Sequence, residues 1–357
     1  MKIVYTLLGL GVAGGIRIVI EHCNRLADRG HTVTLVPLMH QGDLPKADEF
    51  WMPLRCGLAK PKHLEALAKA ADVVIATEAN TAEPVVELET KAKKYYFIQM
   101  RESLFFLYGD PLWAGKVEMN YKRFKGVLKP IVISWWLKDF LEKIYGYEDV
   151  PIVPNGVNTE TFYPDPAYPK GQVPRVLIEG HTHGEAKDIG GLSFQTVDAF
   201  KRMIGPVEVW GVSQLEPQYP FDHFVQMAGQ EEMRKLYSSC DVLLKASRYE
   251  GRGCVDVEAM ACGCAVNRAI IFGEDDLIHG YNCMKVQYGD FQGFFNHLVA
   301  MLKESTVRSM LAANGLRYVK ENLDWDPFID RLETIYSGEQ PEPLPRTYHA
   351  GEEDAED

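Results

Sequence analysis

The stretch SRYEGRGCVDVEAMACGCAV, residues 247–266, joins the end of one apolar run to the start of an amphipathic one. The run before it, DVLLKAS, reads as a buried strand ending at Ala246-Ser247, and VDVEAMACG reads as a helix. Glu250 falls in the loop between them. Gly251 and Gly253 leave that loop open to close approach. A helix starting at Cys254 or Val255 turns its first free amides toward the loop, where they can hold an anion. Glu258 then lies about one turn inside the helix. The two glutamates, with seven residues between them, therefore do not share a helical face. One carboxylate sits on a loop and the other on a helix, with an anion site between. That layout suits a nucleotide diphosphate: one acid for ribose hydroxyls, amides for phosphate, one acid for a sugar hydroxyl. An acid beside a phosphate has to meet hydroxyls, because like charges repel. On spacing alone, a solvated helix start accounts for these residues equally well.

The strand–turn–helix pattern recurs on both sides. KIVYTLL, HTVTLVPL, DVVIAT, KYYFIQM and PIVIS read as strands, interleaved with the helices IRIVIEHCNRLADRG, LEALAKAA and WWLKDFLEKIYG. A second series runs RVLIEG, SFQTVDAFKRMI, PVEVWGV, QEEMRKLYSSC and DVLLKAS, followed by four further helical segments. Strands alternating with helices predict α/β domains built on parallel sheets covered on both faces. Between the series, YPDPAYPKGQVP (163–174) holds four prolines and few apolar anchors, as a linker does. The expected organisation is a Rossmann-like domain over 1–165 and a second over 172–325. Two doubly wound domains place a ligand in an interdomain cleft at the carboxyl edges of their strands.

A chain of 357 residues favours two domains over one. The net charge is −12, and half of it comes from residues 339–357, with seven acids against Arg346. Residues 338–357 are expected to form an acidic disordered tail. An acidic body argues against nucleic-acid binding. Membrane contact is expected to be peripheral at most, through a basic patch such as Lys122, Arg123, Lys125 and Lys129. Seven scattered cysteines, with no CxxC, point to reduced thiols in a cytoplasmic protein. MKIVYTLLGLGVAGG lacks the features of a signal peptide and no window reaches the length of a membrane span.

Gly9-Leu-Gly11-Val-Ala-Gly14 has dinucleotide-binding spacing. A dehydrogenase needs an acid after the second strand, but that strand ends Val36-Pro37-Leu38, and the next acid is Asp43. Gly14 and Gly15 at the helix start still allow close approach to a phosphate or sugar. A tight turn requiring positive φ is the alternative.

The residues then resemble a known family. E-G-x-G-x(4)-E-A-M-A-C-G resembles the E-x7-E signature of glycosyltransferase family 4, retaining enzymes with the GT-B fold. VPNGVNTETFYP (153–164) resembles the family's linker, Gly14-Gly15 its N-terminal glycine loop, and GEDDLIHGYNCMKVQYGD its third acidic motif. The resemblance covers nearly the whole chain. It implies that Glu250 meets the donor sugar and Glu258 the ribose. Backbone amides around Gly253, Cys254 and Val255 hold phosphate and sugar hydroxyls, and Lys187 stabilises the departing diphosphate. His181 stands at the family's arginine position and is a weaker, titratable cation. The implied activity is metal-independent transfer of a sugar, with retention, from a nucleotide diphospho-sugar to a hydroxyl acceptor, a glycan, glycolipid or small molecule. The last helix, 326–337, is expected to pack back on the first domain.

Arg252, Val255 and Asp256 replace the family's usual Phe, Pro and apolar residue. Arg252 either supplies a cation near the phosphates or pairs with Asp256. Cys283 replaces a glycine. In place of a first-domain histidine, Arg101 and Glu102 follow YYFIQM. A GT-B sugar-nucleotide epimerase and a degenerate, non-catalytic sugar-nucleotide-binding protein remain alternatives. No metal or cofactor is expected. Cys254, Cys262 and Cys264 read as structural thiols, Gly263 as a helix C-cap, and Asp326 of Asp324-Trp-Asp326 as an N-cap. Trp51, Tyr108, Trp113 and Tyr121 are candidates for stacking on an acceptor, with packing the plainer role.

Overall fold

A computed structural model of the chain describes residues 1–346 except 47, 108, 181–187 and 189–190. The described chain forms two compact units, Met1–Asn155 with Asp326–Pro345, and Gly156–Trp325 with Arg346.

The first unit is built on strands β1 (Lys2–Leu7), β2 (Thr32–Pro37), β3 (Gly57–Leu58), β4 (Val73–Ala76), β5 (Lys93–Ile98) and β6 (Lys129–Val132). They pair in the order β3-β2-β1-β4-β5-β6, all parallel. Every residue of β4 is buried, as an all-parallel sheet with two covered faces requires. The helices are α1 (Gly14–Asp28), α2 (Leu64–Ala70), α3 (Ala79–Glu87), α4 (Ser103–Phe106), α5 (Pro111–Arg123) and α6 (Trp135–Asp139). α1 buries Ile18, Val19, His22, Cys23 and Leu26, the stripe expected of a helix on a sheet.

The second unit repeats the plan with β7 (Arg175–Glu179), β8 (Glu208–Ser213), β9 (His223–Gln226), β10 (Val242–Lys245), β11 (Ala265–Ile270) and β12 (Met284–Gln287). Its order is β12-β11-β10-β7-β8-β9, again parallel. The helices are α7 (Leu192–Met203), α8 (Gln230–Ser239), α9 (Cys254–Ala261), α10 (Phe291–Lys303) and α11 (Ser305–Asn322). Ile178, Leu244, Phe294, Leu298, Met301 and Leu311 form its core. The winding reverses between β7 and β10, so the topological switch point lies at the carboxyl ends of these two strands. Leu244 pairs with Ile178, which brings Lys245 and Glu179 next to that point.

The last helix, α12 (Trp325–Ser337), belongs to the first unit from Asp326 onward. Arg29 pairs with Asp330, with Glu333 at 2.7 Å and with Asp326 at 3.3 Å. The hydroxyls of Tyr5 and Tyr336 lie 2.7 Å apart, and Tyr95 Oη donates to the Ile335 carbonyl at 2.6 Å. The helix starts at Trp325, so Asp326 lies in its first turn and is not the N-cap that the sequence suggests.

The chain changes units between Asn155 and Gly156 rather than in the Pro-rich stretch 163–174. That stretch is pinned to the second unit: Asp165 pairs with Arg234 at 3.2 Å, and Lys170 Nζ donates to the carbonyls of Cys240 and Gly263. Prolines here stiffen a packed segment. Gly156 marks the crossing because a Cβ there would come within 2.7 Å of the Trp325 indole. No helix among the described residues is long and apolar enough to cross a membrane.

Candidate functional site

Glu250 follows β10 in the loop that leads to α9. A short apolar strand delivers Lys245 to the switch point, where its side chain is 2% exposed. A buried ammonium needs partners, and Lys245 has two: it donates to Glu179 on β7, and it lies 3.1 Å from Glu250 Oε1. The neighbouring carboxylates of Glu179, Glu250 and Asp256 overcome the cost of burial and raise the lysine pKa well above its ordinary value.

α9 begins at Cys254 with Gly253 as N-cap. Its first-turn acid, Asp256, is fully buried and paired with the fully buried guanidinium of Arg268 on β11. A Cβ on Gly253 would stand 2.1 Å from Asp256 Oδ2 and 2.7 Å from Arg268 Nη1. The second glycine of the loop is therefore required by close packing against an ion pair. The Gly253 amide donates to the Gly273 carbonyl at 3.4 Å and the Cys254 amide to the Arg252 carbonyl at 2.6 Å. Two of the three amides assigned to phosphate from the sequence are thus engaged by backbone in this state; Val255 follows them at the half-buried helix start. Glu258 lies in the body of α9, 5% exposed.

Arg252 does not pair with Asp256, the partner the sequence offered. Its guanidinium grips Asp276 through two bonds of 2.6 Å, from Nε to Oδ2 and from Nη2 to Oδ1. Asp275 lies 3.8 Å away, and Tyr318 donates to Asp276 at 3.3 Å. Asn282 holds the same loop, accepting from the Ile278 amide at 2.8 Å and donating to the Asp276 carbonyl at 2.9 Å. Glu274 pairs with Lys285 at 3.1 Å. The side chain at 252 thus ties the glycine turn to the loop after β11 rather than standing as an independent cation.

The helix ends as the sequence indicates. Gly263 has φ +72°, and the amides of Gly263 and Cys264 cap the carbonyls of Met260 and Ala259. Burial raises the thiols of Cys262, Cys264 and Cys283, the last two to about 12, as suits reduced core cysteines. Among the described residues no group of three His, Cys, Asp or Glu side chains is placed to hold a metal. His181 and Lys187 lie outside the described residues. Asp188, just after them, accepts from the Ser193 amide at 3.1 Å, and burial raises its pKa to about 6.

In the first unit, Gly14 and Gly15 open α1. None of Gly9, Gly11, Gly14 and Gly15 has positive φ. A Cβ on Gly9, Gly11 or Gly14 would meet nothing within 4 Å, so these glycines border open space rather than a forced turn. Gly15 is closer packed: its Cβ would lie 3.3 Å from Gln99 Nε2. Trp51 Nε1 donates to the Leu10 carbonyl at 3.0 Å and so anchors the glycine loop. Tyr121 is core, Trp113 packs edge-on against Phe106, and Tyr108 is outside the described residues. Glu102, half-buried and just before α4, turns its carboxyl to the start of α3: it accepts from the Ala79 amide at 2.9 Å and from Tyr96 Oη at 3.0 Å. Burial raises its pKa to about 7.

The sequence reading missed Lys245, Glu179, Arg268 and Asp276 as members of the site. One signal was available. A lysine closing the run DVLLK of a buried strand has to find an acid.

The chain is similar to known glycosyltransferases. Residues 203–304, which contain both Glu250 and Glu258, match the family model described as Glycosyl transferases group 1. An uncharacterized glycosyltransferase of Methanocaldococcus jannaschii is 22% identical over 213 residues, 58% of this chain. The match spans 59% of that relative's length. Sucrose-phosphate synthase from Thermosynechococcus elongatus superposes with a TM-score of 0.74 at 16% identity, covering 95% of this chain and 99% of that one. Anabaena HepE in complex with UDP-glucose gives a TM-score of 0.74 at 15% identity, over 95% of this chain and 100% of that one. Together these likenesses support a glycosyltransferase, and the fold of the chain is GT-B: two parallel-sheet, Rossmann-like α/β domains.

Proposed function

We propose that the protein is a retaining, metal-independent glycosyltransferase that moves a sugar from a nucleotide diphospho-sugar to a hydroxyl acceptor. The observation that carries this reading is the placing of Glu250 and Glu258 on either side of the α9 start, in the loop and helix that follow β10 at the switch point. Both lie in the segment matched to the glycosyltransferase family. In this reading an arriving ligand meets a loop carboxylate, a helix start and a helix carboxylate in that order.

In this reading Glu250 accepts hydroxyls of the donor sugar and Glu258 those of the ribose. The sugar–phosphate bond breaks early, the acceptor hydroxyl attacks the oxocarbenium-like carbon from the face the diphosphate leaves, and its proton passes to the departing diphosphate oxygen. Lys187 and the α9 amides meet the charge that develops on the leaving group. For the amides of Gly253 and Cys254 this means exchanging their present backbone carbonyls for phosphate oxygens. Arg252, committed to Asp276, orders the loop through which that exchange runs.

A thermal-shift screen of UDP-, GDP-, TDP- and ADP-sugars tests the reading, since a ligand that binds only the native state raises the melting temperature. One nucleotide class is expected to stabilise the wild type. Glu258→Gln is expected to weaken that ligand by about 10- to 100-fold, the loss of a charged hydrogen bond. Unchanged affinity in Glu258→Gln removes the ribose assignment. The anomeric configuration of the product, read by NMR, tests retention, and activity surviving exhaustive chelation tests metal independence.

A further inference from the structure

We infer that Lys245 is a positioning residue of the donor site: it holds the Glu250 carboxylate ionised and fixed in place, with Glu179 as the second acid that keeps the lysine buried. This inference rests on the proposed function for the ligand it serves, but its central claim concerns Glu250 itself. The lysine ends β10 at the switch point, its side chain 2% exposed, with Glu250 Oε1 3.1 Å from its Nζ and Glu179 on its other side. Glu250 and Glu179 keep 14% and 24% exposure, so the pair opens toward solvent while the cation that joins them does not.

The charges packed around Lys245 come from several elements. Glu179 stands on β7, Asp256 on α9, Arg268 on β11 and Asp188 before α7, and Glu250 lies in the loop itself. Among the described residues, the acids Glu179, Glu250, Asp256 and Asp188 stand against Lys245 and Arg268, and Arg268 is already bound to Asp256. Lys245 thus lies against both Glu250 and Glu179 and offsets their like charges. A carboxylate that has to accept sugar hydroxyls loses that capacity when it is protonated or turned toward another group. A surface lysine would swing with its ligand; one anchored at the end of a buried strand holds its carboxylate before any ligand arrives.

The test follows Glu250 directly. Protein labelled with carboxyl-¹³C glutamate is titrated by NMR, and the Glu250 signal is identified by its loss in Glu250→Gln. In Lys245→Met the Glu250 midpoint is expected to rise by about 1 to 3 pH units, the range of an opposite charge at this distance. The double variant Glu179→Gln/Lys245→Met, which also removes the like charge, is expected to bring it part of the way back. Donor affinity measured against pH is expected to move with the same midpoints. Circular dichroism establishes that each variant is folded, and Lys245→Arg, which keeps the charge, is expected to keep the wild-type midpoint. A folded Lys245→Met whose Glu250 midpoint equals the wild type overturns the inference. So does a shifted midpoint that leaves the pH dependence of donor affinity unchanged. A wild type that binds no nucleotide sugar overturns the proposed function, and the titration alone then decides whether Lys245 controls Glu250.

Discussion

Asp256 and Arg268 are both fully buried and paired with each other. Asp256 Oδ1 and Arg268 Nη2 have no hydrogen-bond partner among the described residues, so the pair is not completely satisfied. Such a pair contributes little net stability while intact, yet losing one member is costly. Arg268→Met is expected to lower unfolding stability in urea by about 3–5 kcal/mol, because Asp256 is left buried and uncompensated. Adding Asp256→Asn should recover most of that loss. The sequence made Asp256 visible as an unusual residue and Arg252 as a possible partner. The true partners lie on or after β11, Arg268 twelve residues from Asp256 and Asp276 twenty-four from Arg252, and no local pattern links them.

At the scale of elements, reading from sequence succeeds where burial is uniform and fails where polar groups are buried. β4 is a run of buried apolar residues, and β10 is one up to its last residue, Lys245; both stand out. β11, AVNRAI, carries Asn267 and Arg268 inside the protein, and their presence hides the strand. α3 holds Pro84, and α5 begins at a proline and leaves Leu112 88% exposed, so neither shows a clean helical period. The two glutamates and the glycine turn of the candidate site were legible because they lie within nine residues. Lys245 and Glu179 were not, because strand pairing, not sequence distance, brings them together. α12 shows what one element contributes. Phe328, Ile329, Leu332, Ile335 and Tyr336 are all buried, and Tyr5 and Tyr95 bond to it. Ending the chain after Trp325 is expected to leave the first unit without cooperative folding. Near-UV circular dichroism and rapid proteolysis confined to residues 1–155 would show it.

Across the whole molecule, two buried groups of the first unit tie stability to pH in opposite directions. Glu102 has its pKa raised by burial from 4.5 to about 7. The unfolded chain releases this proton first, so the stability from the protonated carboxyl is full below about pH 4.5 and is lost as pH rises through about 7. His22 is held neutral by burial, its pKa lowered from 6.5 to about 3. Its contribution is full above about pH 6.5 and is lost as pH falls toward 3. The two slopes oppose each other between about pH 4.5 and 6.5. Glu102→Gln is expected to remove the falling slope, so that stability of the first unit rises steadily with pH over that window in urea titrations. A profile identical to the wild type would mean that Glu102 is ionised in the native state throughout.

The first unit is discontinuous: its sheet is encoded before Gly156 and its closing helix only from Asp326. On the ribosome, then, all six of its strands emerge and wait while the second unit is made. Tyr5 and Tyr95 meet their α12 partners only after the second unit has been translated. Nascent chains stalled before α12 are expected to be the ones that chaperones hold, and maturation is expected to run second unit before first, against the order of synthesis.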